Sequence, residues 1–180
     1  MKLWQLVMLA GMTAAPLEAR DPPTGSLSSD AIEMPLSSTI QQYKKWRIEQ
    51  NKLFVAAVTT NEAGSLFGLL CGTTCSYYIN NGKACEVGVT YPGLISGANG
   101  ALAVTLRCLH VREEGEEYAV FLVDEDVTEM LGEAAEIGIV VPLANGQFNV
   151  SRFSMAGASE ALDDMFKIAD KKIGATDFTL

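Results

Sequence analysis

The stretch WRIEQNKLFVAAVTTNEAGSLFGLLCGTTCSYYIN, residues 46–80, decides the fold class. Its apolar runs are short and rich in Val, Ile, Leu, Phe and Tyr, and polar turn-forming segments separate them. This composition is typical of strands. We therefore predict a mainly β protein, an antiparallel β-sandwich of about eight to nine strands with one or two short helices, the C-terminal helix packing on the sheet.

Later runs of the same kind extend the predicted sheet. They are ACEVGV (84–89), ALAVTLRCL (101–109), EYAVFLV (117–123), EIGIVVPL (136–143) and QFNVSRF (147–153). Asn-Gly pairs at 81–82, 99–100 and 145–146 suit type I′ hairpin turns, because both residues tolerate a positive φ. Pro92-Gly93 and Gly115 indicate further turns. Antiparallel pairing follows from these signals.

Two segments have a helical period instead. In DEDVTEMLGEAAE (124–136) apolar residues recur at helical spacing behind acidic residues, and Asp124 or Asp126 is the candidate N-cap. AGASEALDDMFKIADKK (156–172) repeats the pattern over a longer range and has lysines in its last turns. Before the first strand, STIQQYKKW (38–46) predicts a short helix or turn.

The N-terminal region divides into two parts ahead of a single domain at residues 39–180. Residues 1–19 have one early lysine, an apolar run of about ten residues and a small-residue end, which is the pattern of a cleaved secretory signal peptide and too short for a membrane span. Residues 20–38 are rich in Pro, Ser and Asp, so we expect a flexible segment. The predicted location is periplasmic or secreted, without a membrane span after cleavage.

Four cysteines, Cys71, Cys75, Cys85 and Cys108, lie in the predicted domain. In an oxidising compartment they most economically form two structural disulfides, with three connectivities open. A zinc site is disfavoured because the spacing lacks paired short knuckles, and redox chemistry because no C-x-x-C occurs. The segment 71–85 is therefore interpreted as a stapled pair of strands, with no metal.

The first strands and the C-terminal part together resemble a known family. WRIEQNKLFVAAVTT (46–60), the cysteines of the following strands, and PLANGQFNVSRFSMAGASEALDDM (142–165) are similar to exported proteobacterial proteins of the invasion-associated locus B type. SMAGASEAL matches the family's helix start at Ser154, Gly157, Ala161 and Leu162. The resemblance implies a small periplasmic β-sandwich stapled by disulfides, with no established active site to transfer.

His110 is the single histidine, so an acid–base or Ser-His mechanism would have to use it. A small periplasmic hydrolase would pair His110 with Asp124 or Asp126 and a nucleophile such as Ser96. The chain has no G-x-S-x-G nucleophile elbow, which disfavours this reading. The preferred expectation is a non-enzymatic protein, with no catalytic residue and no cofactor.

Tyrosines are the candidates for a binding surface. Tyr77 and Tyr78 are adjacent on a predicted strand and must point to opposite faces, so one of them is exposed if the other is buried. An exposed tyrosine, together with Tyr91, could contact a glycan or protein. The predicted partner is an unknown protein or envelope component.

Two further ligand classes are disfavoured. The net charge is −9 and basic residues do not cluster strongly, which argues against nucleic acid. Asp124, Asp126 and Thr128 alternate as in a calcium loop, but Glu129 stands where the loop needs glycine and Ala135 where it needs glutamate. A solvated helix start is the preferred interpretation of this acidic stretch.

Overall fold

The computed structural model describes residues 31–98, 100–132, 134–143 and 146–174, and within these ranges eleven strands and two helices follow one another. The strands are β1 (Ile32–Glu33), β2 (Ser38–Tyr43), β3 (Trp46–Gln50), β4 (Val55–Thr60), β5 (Leu66–Cys71), β6 (Cys75–Asn80), β7 (Thr90–Gly97), β8 (Gly100–Glu113), β9 (Glu116–Val123), β10 (Glu136–Pro142) and β11 (Phe148–Ser154). The helices are α1 (Thr128–Gly132) and α2 (Ala158–Gly174).

The strands form one hydrogen-bonded sheet in the order β11-β10-β7-β8-β9-β6-β5-β4-β3-β2. Every pairing along this path is antiparallel. The predicted class, mainly antiparallel β with a C-terminal helix on the sheet, is confirmed. The eleven strands of the described residues outnumber the eight to nine expected; ten share one continuous path, and β1 pairs with β8 outside it.

The two ends of the path meet around Trp46, the first residue of β3. Its indole Nε1 donates to the carbonyl of Ser154 at the end of β11, 3.0 Å away, and its side chain is fully buried. The amide of Lys45 donates to the carbonyl of Ala156 at 3.2 Å. The sheet therefore curls until its first and last strands enclose a common interior.

Aromatic residues from both ends fill that interior. Phe67 of β5 stacks on Tyr77 of β6 with ring centroids 5.9 Å apart, and it contacts the rings of Trp46 and Phe153 at 6.1 and 5.6 Å. Such pairs add to the free energy gained by burying their area. The predicted alternation is confirmed here, since Tyr77 belongs to this core and Tyr78 faces the other side of the sheet.

Both predicted helices are present. The Asp126 carboxylate accepts from the amide of Thr128 at 2.9 Å and caps α1, as expected of that candidate. Helix α2 lies against strands β2 to β4, with Ala161 and Met165 fully buried. The ammonium of Lys172 donates to the carbonyls of Asn51 and Phe54, which ties the end of α2 to the β3–β4 loop.

Both disulfides form. Cys71 and Cys75 face each other across β5 and β6 and are bonded, which confirms the stapled pair of strands. Cys85, in the loop before β7, is bonded to Cys108 in the middle of β8. No free cysteine remains among the described residues.

Some element predictions were wrong. Residues 38–43, expected as a helix or turn, form the edge strand β2, whose side chains are almost all exposed and so carry no apolar signal. Pro92-Gly93, expected as a turn, lies inside β7. The missing amide of Pro92 is tolerated because β10 pairs only with residues 94–96 of β7.

Residues 84–89, expected as a strand, form a loop. The disulfide of Cys85 and the bond from the Gly88 amide to the Cys108 carbonyl, 3.1 Å, hold this loop against β8. The Asn81-Gly82 pair is not a hairpin turn, because β6 pairs with β9 and not with the next strand, β7. The hairpins expected near residues 99 and 145 are formed by β7–β8 and β10–β11, although Asn99 and Asn145 lie outside the described residues.

The expected signal peptide, residues 1–19, and most of the expected flexible segment lie outside the described residues. The last part of that segment, residues 31–38, contains β1 and the first residue of β2. Neither helix within the described ranges combines the length and hydrophobicity that a bilayer crossing requires.

A substitution at Gly157, just before α2, tests how closely the two ends of the strand path approach each other. Its φ is +92°, and a Cβ at this position would lie 2.3 Å from the Tyr43 carbonyl oxygen. We expect Gly157→Ala to lower the free energy of unfolding in urea by about 2 kcal/mol or more, since it combines backbone strain with a clash.

Gly64→Ala is the matched control, because Gly64 has a φ of +80° but open space around it. It carries the conformational penalty alone, so its loss should be clearly smaller. Equal losses in the two variants would contradict a close approach at Gly157.

The two disulfides should differ in their contribution to stability. They close loops with sequence separations of 23 and 4 residues. The chain-entropy relation gives about 3 kcal/mol for the Cys85–Cys108 bond and about 2 kcal/mol for the Cys71–Cys75 bond. Urea unfolding of the two double Cys→Ala variants measures the difference, and a larger loss from the Cys71–Cys75 pair would contradict this order.

Candidate functional site

The candidate site is an apolar cavity on the face of the sheet opposite the aromatic core. Residues 32–37, which we call the covering segment, cross this face. The volume between the covering segment and the sheet is about 300 Å³. The lining residues are Ile32, Met34, Ser37, Glu49, Phe54, Leu66, Leu70, Thr74, Ser76, Tyr78, Asn80, Leu109, Val111, Glu113, Tyr118, Val120 and Leu122.

Strand alternation explains this lining. Side chains two residues apart share a face of a strand. Leu109, Val111 and Glu113 of β8 therefore point to the cavity. Tyr118 and Val120 of β9 pair directly with Val111 and Leu109, which places the four side chains side by side. The wall is thus apolar, with a carboxylate and a phenol at the end where the β8–β9 hairpin turns.

The covering segment is anchored at both ends. At its start, β1 pairs in parallel with the part of β8 that extends beyond β7, and the Met34 amide donates to the Arg112 carbonyl at 2.7 Å. At its end, the Asn51 side-chain amide donates to the Pro35 carbonyl at 2.7 Å, and the Ser37 hydroxyl donates to Glu49 at 3.4 Å. The segment forms an arch over the cavity.

The three tyrosines predicted as a binding surface do not lie together. Tyr78 lines the cavity, and its hydroxyl has no hydrogen-bond partner in the described part of the chain. Tyr77 is buried in the core, and its hydroxyl bonds to that of Thr128 at 2.9 Å. Tyr91 packs edge-on against Phe121 and accepts from the Glu86 amide. Of the three, only Tyr78 belongs to the candidate site.

His110 lies on the core side of β8, away from the cavity. Its Nδ1 lies 2.7 Å from a carboxylate oxygen of Glu117, and its Nε2 lies 3.1 Å from the Cys85 carbonyl oxygen. Both ring nitrogens face acceptors, so neither is placed to take a proton from a nucleophile. The nearby sulfurs of Cys85 and Cys108 are joined to each other and offer no thiolate to a metal ion.

The other members of the hydrolase arrangement are not brought to His110. Asp124 pairs with Arg107 at 3.0 Å, and Asp126 caps α1. Hydrogen bonds from the Thr128 hydroxyl and amide hold the pKa of Asp126 below its ordinary value. Ser96 donates to the Gly138 carbonyl at 3.3 Å. These contacts match a capped helix start better than a catalytic or calcium-binding loop.

Two other surfaces have a less specific character. A hollow of about 430 Å³ beside Tyr77 has a largely polar lining that includes the Arg107–Asp124 pair. On β10 and β11, Phe148 and Val150 are 67% and 55% exposed and form an open apolar patch rather than an enclosed volume. The hollow differs from the cavity in its largely polar lining, and the patch is more open than the cavity.

Sequence reasoning missed most residues of the cavity. Tyr78 was among the predicted candidates, whereas Glu49, Glu113 and Tyr118 were not. A signal was present, because LFGLL (66–70) and VAAV (55–58) are apolar without alternation, which indicates strands covered on both faces.

Comparisons with protein-family models, curated proteins and solved structures found no match to this chain. The resemblance to invasion-associated locus B proteins stays a prediction.

A substitution of Glu117 tests whether its contact with His110 contributes to the stability of the fold. The hydrogen bond from His110, followed by that from Arg112, holds the pKa of Glu117 below its ordinary value of 4.5. The carboxylate therefore stabilises the fold above pH 4.5, and this contribution is lost as the pH falls through the lowered pKa. We expect Glu117→Gln to lower the free energy of unfolding at neutral pH, with a difference from the wild type that narrows on acidification.

Glu116→Gln is the control, since Glu116 is exposed on the same hairpin and makes no ion pair within the described residues. Urea unfolding from about pH 7 to about pH 3 supplies the comparison. A Glu117→Gln deficit that stays constant over this range would contradict a role for the ionised carboxylate.

Proposed function

We propose that the protein is a non-enzymatic binding module and that the cavity under the covering segment holds a small ligand with a largely apolar body. The single observation that supports this proposal is a partly covered apolar cavity that is separate from the hydrophobic core. A sheet face bordered by water is normally polar. Here Leu70, Val120 and Leu122 line that face, and the chain's own N-terminal residues cover them incompletely.

The size of the cavity suits a small molecule. Its volume of about 300 Å³ lies at the lower end of the range of ligand pockets. An apolar cavity of ~150 Å³ is enough to bind benzene. The ligand is therefore expected to be larger than a single aromatic ring and smaller than a typical folded peptide.

The proposed setting is the periplasm or the exterior of the cell. Two disulfides support it, because such bonds persist mainly in oxidising compartments. The predicted signal peptide at residues 1–19 agrees with it. In this setting the protein would bind an envelope or host component, which agrees with the class of partner predicted from the sequence.

Filling the cavity tests the proposal. The neutral dye phenylnaphthylamine fluoresces when it enters an apolar site, so we expect saturable enhancement with the wild-type protein. Leu70→Trp and Val120→Phe add bulk to the wall and should weaken dye binding by at least about tenfold, provided that their unfolding midpoints show a folded protein.

Two variants serve as controls. Phe148→Ser removes the largest side chain of the open apolar patch and should leave dye binding unchanged. His110→Ala should also leave it unchanged, because His110 lies outside the cavity. Loss of dye binding in Phe148→Ser together with full binding in both filled variants would place the dye on the patch and overturn the proposal.

A further inference from the structure

The polar lining of the cavity includes two carboxylates and two phenols. Glu49 of β3, Glu113 of β8, Tyr78 of β6 and Tyr118 of β9 all line it. The Tyr118 hydroxyl donates to Oε2 of Glu113 at 3.0 Å, and Tyr78 and Glu49 belong to the same lining. This polar region determines which chemical group of a ligand the cavity can accept.

Glu49 is already neutralised within the protein. One of its carboxylate oxygens accepts from Nε of Arg47 at 2.6 Å, and the other accepts from the Ser37 hydroxyl. Both oxygens therefore have donors. Charge-assisted bonds of this kind satisfy a half-buried carboxylate without help from a ligand.

Glu113 is different. Its Oε2 accepts from the Tyr118 hydroxyl at 3.0 Å, but it makes no ion pair in the described part of the chain. The hairpin beyond it adds the exposed Glu114 and Glu116, and the protein as a whole has a charge of −9. A half-buried carboxylate without a counter-ion in a negative region favours a cation beside it.

Two phenols, those of Tyr78 and Tyr118, line the same cavity as Glu113. Burial and the adjacent Glu113 carboxylate raise the pKa of Tyr118 to about 12, so its hydroxyl stays protonated and oriented on Glu113. Burial also raises the pKa of Tyr78, followed by the charge of Glu49. The ring faces of tyrosines attract cations, most strongly where water is excluded.

We infer that the ligand is a cationic amphiphile, with an ammonium group beside Glu113 and an apolar chain along Val111, Val120 and Leu109. The inference rests on the proposed function and specifies its ligand class. The apolar wall receives the chain, and Glu113 with Tyr78 and Tyr118 receives the charge. A neutral ligand of the same length would fill the cavity but leave Glu113 without a counter-ion.

Competition between two probes of equal chain length tests the inference. Octylammonium and octanol differ in the charged head, and each can displace phenylnaphthylamine from the wild-type protein. We expect octylammonium to bind about tenfold more tightly than octanol, and this advantage to decrease with added salt. In Glu113→Gln the affinity for octylammonium should fall by about tenfold, and that for octanol should stay unchanged.

Two more variants separate a local effect from a general one. Tyr118→Phe removes the hydroxyl that orients Glu113 and should reduce the preference for octylammonium by a smaller factor. Glu116→Gln removes an equal charge from the exposed side of the hairpin and should change it little. If Glu113→Gln does not fold, the salt dependence and the Tyr118→Phe result decide the question.

The outcomes distinguish the two proposals. If both probes bind with equal affinity and neither variant alters the ratio, the cationic ligand is ruled out while the binding cavity stands. If the dye and both probes fail to bind, the proposed function is overturned as well. A preference lost equally in Glu113→Gln and Glu116→Gln would assign it to the general charge of the protein and overturn the specific site.

Discussion

The meeting of the two sheet ends at Trp46 is the contact on which the rest of the structure depends. Its indole bonds to the end of β11, and Gly157 lets the chain pass against the carbonyl of Tyr43 before α2 begins. This junction holds the strands of one long antiparallel path in a curled arrangement. With it, Trp46, Phe67 and Phe153 form one enclosed core, and α2 seals its edge.

Closure of one face creates a problem on the other. Strands β4, β5, β8 and β9 bear apolar residues on both sides, so the second face also has to be shielded from water. Among the described residues, the six of the covering segment, 32–37, meet this need. So short a segment can arch over the face but cannot fill the space beneath it, which is why a cavity is present there.

Much of the fold could be predicted from sequence, because short runs of β-branched and aromatic residues indicate strands without any knowledge of tertiary contacts. Both helices could also be predicted from the helical spacing of their apolar residues, and the two disulfides from the presence of four cysteines. The disulfide pairing could not be predicted, since it depends on which strands become neighbours: Cys71 and Cys75 face each other across β5 and β6, whereas Cys85 meets Cys108 through a loop. Strand β2 was missed because exposed polar residues such as Gln41 and Gln42 give no apolar pattern.

The candidate site was less predictable because it, too, depends on which strands become neighbours in the sheet. Its wall is assembled from β5, β6, β8 and β9, whose order in the sheet is not their order in the chain. Alternation alone predicted that either Tyr77 or Tyr78 faces away from the core, without deciding which of them does. Glu113 and Tyr118 become part of a cavity only when the covering segment, which begins with β1, crosses this face of the sheet. The pairing of residue 32 with residue 111 that positions the segment has no local signal in the sequence.

The anchoring of the covering segment also determines how quickly the cavity could exchange its contents. The segment is held by a two-residue parallel pairing and by a few hydrogen bonds near Met34 and Asn51, whereas the sheet beneath it is held by long ladders and a closed core. Local opening therefore needs much less free energy than global unfolding. Residence time and fold lifetime are thus set by different parts of the molecule, and a ligand could leave many times during the life of one folded chain.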